Sequence, residues 1–202
     1  MSLNFLFKVI FICFLIINFS CFGQTTYYIN SINGNDTFDG LSSLSPWQTI
    51  DKINTITLYP GDSVRFYSGQ TFLGMFQPIG NGNINNPIII DSYGGNGRAI
   101  INGQNHLACI YLDNKEGIEI SNLELINDSG NFPDANAVYK RRGIYASSYY
   151  GVKEHLVFRN LYIHNIYPNN FMLDLSNIHK EQKEFFDYKR NLTLKKNQDK
   201  KS

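Results

Sequence analysis

Two stretches of the chain carry nearly the same alternation of apolar and polar positions. They span residues 117–125 and 155–163, and both follow the pattern apolar-x-apolar-x-Asn-apolar-x-apolar. Such alternation places every second side chain on one face of a β-strand. Asn122 and Asn160 interrupt the alternation. Each stretch is therefore predicted to form two short strands that meet at a corner.

Similar short apolar stretches surround these two and predict a repeat of three strands per unit. They cover residues 64–67, 88–90, 99–103, 109–112 and 143–146. Superposing three such units predicts two sets of equivalent positions, with Tyr67, Tyr111 and Tyr145 in one and Ile90, Ile120 and Phe158 in the other. The spacing between equivalent positions is uneven, which predicts corner insertions of different length.

A repeat of this kind predicts a solenoid, because no single unit can bury its inward face alone and stacked units share one core. Asn122 and Asn160 would then occupy the same corner of neighbouring coils, where one side-chain amide can hydrogen-bond to the next. The repeat therefore predicts an all-β solenoid of about three coils. An antiparallel sandwich of the same strands is the alternative.

The segment before the first predicted coil, residues 24–63, is expected to hold a short strand and a capping helix. Ser45 is predicted as the N-cap and Pro46 as the first helical residue. An apolar stripe then repeats every three residues, at Trp47, Ile50 and Ile53. This helix is predicted to end near Asn54 and to cover the open end of the solenoid, where strand edges would otherwise be exposed.

Residues 1–23 are predicted to be a secretory signal rather than part of the fold. Lys8 precedes an apolar run over residues 9–17, which is too short to span a membrane. Small residues at Cys21 and Gly23 suit a signal peptidase, and we place the cleavage after Gly23. The protein is therefore expected to be secreted, extracellular or periplasmic. A lipoprotein acylated on Cys21 is the alternative.

Charge and cysteine content narrow the function classes. Residues 24–179 contain nine Lys/Arg and thirteen Asp/Glu, which gives no reason to expect a nucleic-acid partner. Nothing after the signal is long and apolar enough to cross a membrane, so no membrane span is expected. Cys109, the one cysteine beyond the signal, is expected to be a small core residue.

The N-terminal motifs and the repeat together resemble one known fold family. The motifs are Tyr27-Tyr28-Ile29, Asn33-Gly34-Asn35-Asp36, Pro46-Trp47-Gln48-Thr49-Ile50, Pro60-Gly61-Asp62 and the Ile-x-Ile-x-Asn-Leu phrase. Over residues 25–165 the chain resembles the N-terminal part of secreted right-handed parallel β-helix proteins of the pectate-lyase-like superfamily. The resemblance implies a carbohydrate-active protein, and this fold hosts lyases, hydrolases, epimerases and inert modules.

The coils are predicted over residues 64–166, followed by an irregular Lys-rich tail over residues 167–202. Members of the superfamily commonly continue for many more coils and carry their catalytic residues on the middle ones. A truncated or frame-shifted product is therefore expected. A short protein with an unusual C-terminal cap is the alternative.

The candidate chemistry lies in corner loops near the third coil. The substrate-binding candidates are Lys140, Arg141, Arg142, Tyr145, Tyr149 and Lys153. Cations suit the carboxylate of an acidic polysaccharide, and aromatic rings suit sugar faces. Weak candidates for calcium ligands are Asp36, Asp39, Asp128 and Asp134. The alternatives are a solvated loop with weak ion pairs for the basic cluster, and Asx turns for Asp36 and Asp39.

Three functions remain open on the sequence alone. The first is a polysaccharide lyase that acts on an acidic polysaccharide by β-elimination, with calcium as a cofactor if one is needed. The second is a non-catalytic module that binds a polysaccharide at a surface. The third is an inactive N-terminal fragment of such an enzyme. No residue is assigned a catalytic role.

Overall fold

The computed structural model describes residues 23–128, 141–149, 151 and 153–166. In this part of the chain, thirteen strands and one short helix occur. The strands are β1 (Thr26–Ile29), β2 (Thr57–Leu58), β3 (Ser63–Tyr67), β4 (Thr71–Leu73), β5 (Ile79–Gly80), β6 (Ile88–Tyr93), β7 (Ala99–Asn102), β8 (Ala108–Asp113), β9 (Ile118–Ser121), β10 (Leu123–Asn127), β11 (Arg142–Ser147), β12 (Leu156–Arg159) and β13 (Tyr162–Ile166). The helix is α1 (Ile50–Ile53).

The strands stack into sheets that run along the molecule. A five-stranded sheet has the order β1-β3-β6-β9-β12, and a four-stranded sheet has the order β13-β10-β7-β4. Two smaller sheets pair β11 with β8 and β2 with β5. Every pairing between these strands is parallel. The segments β3–β5, β6–β8 and β9–β11 form successive coils, which confirms the prediction of an all-β parallel β-helix.

The predicted vertical alignment of the core is confirmed by the register of the five-stranded sheet. Ile120 pairs with Ile90 on one side and with Phe158 on the other, both in parallel. Ile90 and Ile120 are fully buried and Phe158 is nearly so. The antiparallel sandwich, which was the alternative, is therefore wrong.

The corner between the five-stranded and four-stranded sheets is held by stacked asparagines, as the repeat predicted. Asn122 and Asn160 have φ angles of 54° and 47°, a left-handed conformation that Asn tolerates better than most residues. Asn160 Nδ2 donates to Asn122 Oδ1 at 2.6 Å, and Asn122 Nδ2 donates to Asp91 Oδ1 at 2.8 Å. This ladder links three consecutive coils through the exposed Asn160 amide, the half-buried Asn122 amide and the half-buried Asp91 carboxylate.

The predicted equivalence of Tyr67 with Tyr111 and Tyr145 is only partly correct. Tyr111 does pair with Tyr145. Tyr67 instead pairs with Tyr93, because β3 lies beside β6 in the five-stranded sheet. The position next to β8 is taken by Phe76, which forms an isolated parallel bridge with Ile110. The strand that contains Tyr67 therefore belongs to the five-stranded sheet, and not to the sheet that contains Tyr111 and Tyr145.

The helix is shorter than predicted and begins later. It covers Ile50–Ile53, and its N-cap is Thr49, whose side chain accepts a hydrogen bond from the Lys52 amide. Its C-cap is Asn54, as expected. Ser45 and Pro46 do not start it, because Trp47 is held in a parallel bridge with β1. The apolar stripe itself is buried in the core.

The loop before the helix pairs with the outer edge of β1. The Tyr28 amide donates to the Gly40 carbonyl at 2.8 Å, and the Trp47 amide donates to the Tyr28 carbonyl at 2.9 Å. Gly40 has a φ of 70°, and a Cβ atom there would lie 2.4 Å from the Trp47 indole. A larger residue at position 40 would therefore displace the indole. This loop thus pairs with the free edge of β1, which the helix was predicted to cover.

Cys109 is a fully buried core residue, as predicted. Its thiol donates to the Ile126 carbonyl at 3.1 Å, and burial raises its pKa to about 12. The predicted signal segment lies outside the described residues except for Gly23, and so does the predicted tail. Across the described ranges, no helix has the length and apolar character needed to cross a bilayer.

Candidate functional site

The two-stranded sheet of β8 and β11 carries an ordered row of tyrosines on neighbouring coils. Tyr111 pairs with Tyr145, and two positions further along Asp113 pairs with Ser147. The two rings are stacked, with centroids 5.3 Å apart and an interplanar angle of 13°. We call this surface the Tyr111–Tyr145 face, and its residues are Tyr111, Asp113, Arg142, Tyr145, Ser147 and Tyr149.

Polar groups surround the stacked rings and are tied to one another. The Ser147 hydroxyl donates to Asp113 Oδ1 at 2.9 Å, which links the two coils. Asn114 has a φ of 52°, and its side-chain oxygen accepts a hydrogen bond from the Tyr149 amide at 2.9 Å. Tyr149 is 65% exposed. The corner therefore holds an exposed aromatic side chain beside a carboxylate and a hydroxyl.

The electrostatics of this face favour neutral phenols. Partial burial, and then the nearby Asp113 carboxylate, raise the pKa of Tyr111. A hydrogen bond with Tyr145, and then the charge of that phenol, raise the pKa of Tyr149. Partial burial lowers the pKa of the Lys115 ammonium, although Asp113 opposes that shift. At neutral pH the tyrosine hydroxyls can therefore donate and accept hydrogen bonds.

The described arginines of the predicted basic cluster, Arg141 and Arg142, are buried and do not form an exposed cationic patch. The Arg142 guanidinium lies over the Tyr145 ring, 4.6 Å from its centroid, in a cation–π contact. Lys140 lies outside the described residues, and Lys153 is half-buried. The structure thus brings together Arg142, Tyr145 and Tyr149 among the predicted residues.

Several residues of this face were missed at the level of sequence. They are Tyr111, Asp113 and Ser147, and Lys115, which lies next to the face, was missed as well. The repeat did contain a signal for them, because it made Tyr111 and Tyr145 equivalent, and residues two positions further along a strand share the same face. Asp113 and Ser147 follow from that rule, whereas Lys115 lies beyond the strand end and carried no such signal.

The candidate calcium ligands near the N-terminus are engaged in hydrogen bonds to backbone amides and hydroxyls. Asp36 Oδ1 accepts from the amides of Gln48 and Thr49, and Asp36 Oδ2 accepts from the Thr49 hydroxyl at 2.7 Å. Burial opposes ionisation of Asp36, but these hydrogen bonds outweigh it and lower its pKa. Asp39 Oδ1 accepts from the Leu41 amide and the Ser45 hydroxyl. The Asp39 contact with the Leu41 amide supports the Asx-turn alternative. Asp36 instead binds amides twelve and thirteen residues away, so it ties its loop to the N-cap of α1 and does not form an Asx turn.

The other two calcium candidates, Asp128 and Asp134, are not part of any cluster of metal-binding side chains among the described residues. Asp128 is exposed at the end of β10, and Asp134 lies outside the described residues. In the described ranges, no group of three or more His, Cys, Asp or Glu side chains is placed to hold a metal ion. Calcium binding stays a prediction.

The remaining carboxylates on the outer sheet faces bridge neighbouring coils. Glu119 contacts His155 at 2.8 Å and Arg159 at 2.6 Å. Glu124 contacts His164 at 2.8 Å. Arg65 contacts Asp91 at 2.9 Å. Each pair joins neighbouring coils, which indicates a role in holding the coils together.

These features define the chain as a parallel β-helix protein, and two comparisons agree on the kind of protein it resembles. The structure matches crystal structures of the GH136 lacto-N-biosidase from Eubacterium ramulus, native and selenomethionine forms, with TM-scores of 0.63 and 0.65 at 24% identity. Each match covers 70% of this chain and 27% of the other. At this identity the likeness shows the fold alone.

One curated protein is similar in sequence, a lacto-N-biosidase from Bifidobacterium longum subsp. longum. The chain is 31% identical to it over an alignment of 144 residues, and the match covers 57% of this chain and 9% of that protein. This chain therefore spans about a tenth of the length of the curated relative that it matches. No family model matches the sequence.

Proposed function

We propose that this chain belongs to a carbohydrate-active protein and that the Tyr111–Tyr145 face binds a glycan. The observation that carries the proposal is the in-register placement of two stacked tyrosines beside the Asp113–Ser147 pair on adjacent coils. The names of the similar proteins support the same class, since both are lacto-N-biosidases.

The chemistry of the face suits a sugar. A pyranose ring has apolar C–H faces that pack against aromatic side chains, while its hydroxyls need donors and acceptors close by. Tyr149 supplies an exposed ring, and Asp113 supplies carboxylate oxygens that accept hydrogen bonds from sugar hydroxyls. The stacked pair of Tyr111 and Tyr145 makes the floor of this face rigid, because each strand is held by its neighbour.

The charges of the face favour a neutral glycan over the acidic polysaccharide that the sequence resemblance implied. Asp113 places a negative charge beside the rings, and it would repel a uronate carboxylate. The Arg142 guanidinium lies over the Tyr145 ring, and the pKa of Lys115 is lowered by burial. Both cations are therefore less available to neutralise an acidic ligand than exposed side chains would be.

For the reaction class we favour hydrolysis, because both similar proteins are named as biosidases. Glycoside hydrolysis requires two carboxyl groups on either side of the scissile bond. Asp113 is the described carboxylate on the candidate face, and a second would have to come from elsewhere in the whole protein. β-Elimination and binding without cleavage are the alternatives that the experiment below separates.

The proposal is tested by measuring binding and products with the same purified protein. Binding of neutral and uronate-containing oligosaccharides is measured by isothermal titration calorimetry, with Tyr149→Ala and Asp113→Asn as variants of the face. We expect neutral glycans to bind and both variants to bind less well. Preferential binding of uronates, or wild-type affinity in both variants, would reject the proposed face.

Product analysis then identifies the activity. New reducing ends without ultraviolet absorbance indicate hydrolysis, and an unsaturated product indicates elimination. Retention on a glycan column with neither product indicates a binding module. We also propose export through the segment of residues 1–23, which would give the face access to extracellular glycans. Mass spectrometry of the N-terminus of the exported protein would test it.

A further inference from the structure

The described part of the chain contains four Asn–Gly pairs in different surroundings. They are Asn33-Gly34, Asn81-Gly82, Asn96-Gly97 and Asn102-Gly103. An Asn followed by Gly is prone to deamidation, because the glycine amide nitrogen can attack the side-chain amide carbon without hindrance from a side chain. The attack requires a glycine amide that is free to move towards that carbon.

Three of the four pairs are locked by hydrogen bonds from the glycine amide. Gly34 donates to the Asn30 carbonyl at 2.8 Å, Gly82 to the Glu116 carbonyl at 3.1 Å, and Gly103 to the Ile126 carbonyl at 2.8 Å. Each nitrogen would have to leave a partner on a neighbouring turn or coil before it could react.

Two of these three pairs are restrained at the asparagine as well. Asn81 Oδ1 accepts from the Glu116 amide at 3.2 Å, and Asn102 Oδ1 accepts from the Gln104 amide at 3.0 Å. The glycines are also packed, since a Cβ atom at Gly34 or Gly82 would lie within 2.3 Å of a backbone oxygen. The solenoid therefore protects these three sites.

Asn96-Gly97 differs in each of these respects. Both residues are exposed at the corner between β6 and β7. Among the described residues, the Gly97 amide has no hydrogen-bond acceptor, and no heavy atom outside residues 96–98 lies within 4 Å of a Cβ built on Gly97. The open surroundings leave room for the cyclic intermediate.

We infer that Asn96 is a site of spontaneous deamidation in the folded protein and that the other three pairs are protected. The Gly97 nitrogen loses its proton and attacks Asn96 Cγ, the new C–N bond replaces the Cγ–Nδ2 bond, and the side-chain NH2 group takes up a proton and leaves as ammonia. Water then opens the resulting succinimide at either carbonyl, which gives aspartate or isoaspartate at position 96. The sequence Asn–Gly alone does not separate the four sites, and the hydrogen bonds of the fold do.

The site adjoins a contact that spans the last coils. Arg98 donates from Nη2 to Asn160 Oδ1 at 2.6 Å and from Nε to the Asn160 carbonyl at 3.1 Å. A carboxylate at position 96 would compete for the same guanidinium. Isoaspartate would also lengthen the backbone immediately before Arg98. The modification therefore acts on the stacked-asparagine corner.

The experiment ages the purified full chain at 37 °C in mildly alkaline buffer and follows each site by peptide mapping with fragment-ion mass spectrometry. We expect Asn96 to gain the mass of an NH2-to-OH exchange at least about ten-fold faster than Asn81, Asn33 or Asn102. Asn81 and Asn96 fall in one tryptic peptide between Arg65 and Arg98, so they serve as an internal comparison.

Two controls keep the inference falsifiable. The chain unfolded in urea should deamidate all four sites at similar rates, because each is followed by glycine and the fold no longer protects any of them. The variant Asn96→Gln should remove the fast phase from the folded chain. Equal rates at the four sites in the folded protein, or an Asn96 that reacts only after unfolding, would overturn the assignment.

Discussion

The β-helix carries two clusters of outward-facing tyrosines that are built differently. On the β8–β11 sheet, Tyr111 and Tyr145 stack with an interplanar angle of 13°. On the five-stranded sheet, Tyr93 meets Tyr67 at 84° and Tyr28 at 78°, with ring edges against faces. The first arrangement keeps the rings aligned along the solenoid. In the second, Tyr67 and Tyr28 both pack edge to face with Tyr93, and we call these three residues the closed cluster.

The surroundings of the hydroxyl groups explain what each cluster can do. The Tyr93 hydroxyl is buried with no hydrogen-bond partner among the described residues, and burial, then the neighbouring Tyr67 and Tyr28, raise its pKa to about 12. Tyr149, beside the stacked pair, is exposed and hydrogen-bonded to a neighbouring phenol. The comparison teaches that an outward tyrosine on a solenoid contributes packing or binding according to whether its polar end is accessible.

The largest effect is expected on the free energy of unfolding when Tyr93 of the closed cluster is replaced. Tyr93→Ala should lower the free energy of unfolding by about 2–3 kcal/mol, because it removes a large half-buried ring that two others pack against. Tyr145→Ala should cost only about 1 kcal/mol, since its ring has one stacked partner. Denaturant titration of both variants measures the difference. A larger loss for Tyr145→Ala would contradict the comparison.

The alkaline titration of Tyr93 should sharpen the same contrast. Its phenol ionises near pH 10.0 in the unfolded chain and near pH 12 in the folded one, so the folded state holds the proton more tightly. The stability that this group contributes is therefore complete below pH 10 and is lost as the pH rises towards 12. Ultraviolet absorbance against pH should show a late-ionising phenol that Tyr93→Phe removes. Identical titrations of the two proteins would refute the assignment.

For glycan affinity the order should be reversed, with the larger loss from the stacked pair and none from the closed cluster of Tyr28, Tyr67 and Tyr93. Tyr145→Ala should weaken binding about ten-fold, or about 1.4 kcal/mol, because the aligned floor of the face is lost. The matched control Tyr28→Ala removes a ring from the closed cluster and should leave the affinity of the folded protein unchanged. Calorimetric titration with a neutral oligosaccharide checks both. Equal losses would show that the two clusters do not differ in binding.

The smallest effect is expected from the corner that positions Tyr149. Asn114→Gly keeps the left-handed backbone but removes the oxygen that accepts the Tyr149 amide, and it should weaken binding by about 0.5–1 kcal/mol. In a double-mutant cycle this loss should disappear when Tyr149 is already alanine. Additive losses would mean that Asn114 acts independently of Tyr149.

Most of the strands and their inward residues were predictable, and so was one edge of the candidate site, whereas β4 and the buried Phe72 and Phe76 that follow β3 were not predicted. The alternation around Ile120 and Phe158 is a local signal, because side-chain direction along a strand has a period of two. The asparagine corner was predictable because it recurs within that alternation. Arg142, Tyr145 and Tyr149 were found from their residue types next to a predicted strand, without knowledge of their contacts.

The vertical neighbours in the first coil were not predictable in the same way. Tyr67 was matched to Tyr111 by its place in a strand, and it instead pairs with Tyr93 because β3 lies beside β6 in the five-stranded sheet. Trp47 reads as helical from its spacing to Ile50, yet a bridge to β1 holds it. In both cases a contact distant in sequence overrides a local preference.

By itself, the amino-acid sequence determined ten of the thirteen described strands, the inward side chains of those strands, and where asparagine turns the chain. Those properties depend on near neighbours along the backbone. The short strands β2, β4 and β5 were not predicted. The tertiary structure alone decided which face each strand joins, that Asp113 meets Ser147, and that Arg142 covers Tyr145 rather than facing solvent. The lengths of the corners between strands set which residues of neighbouring coils lie side by side. The contacts between coils depend on that register.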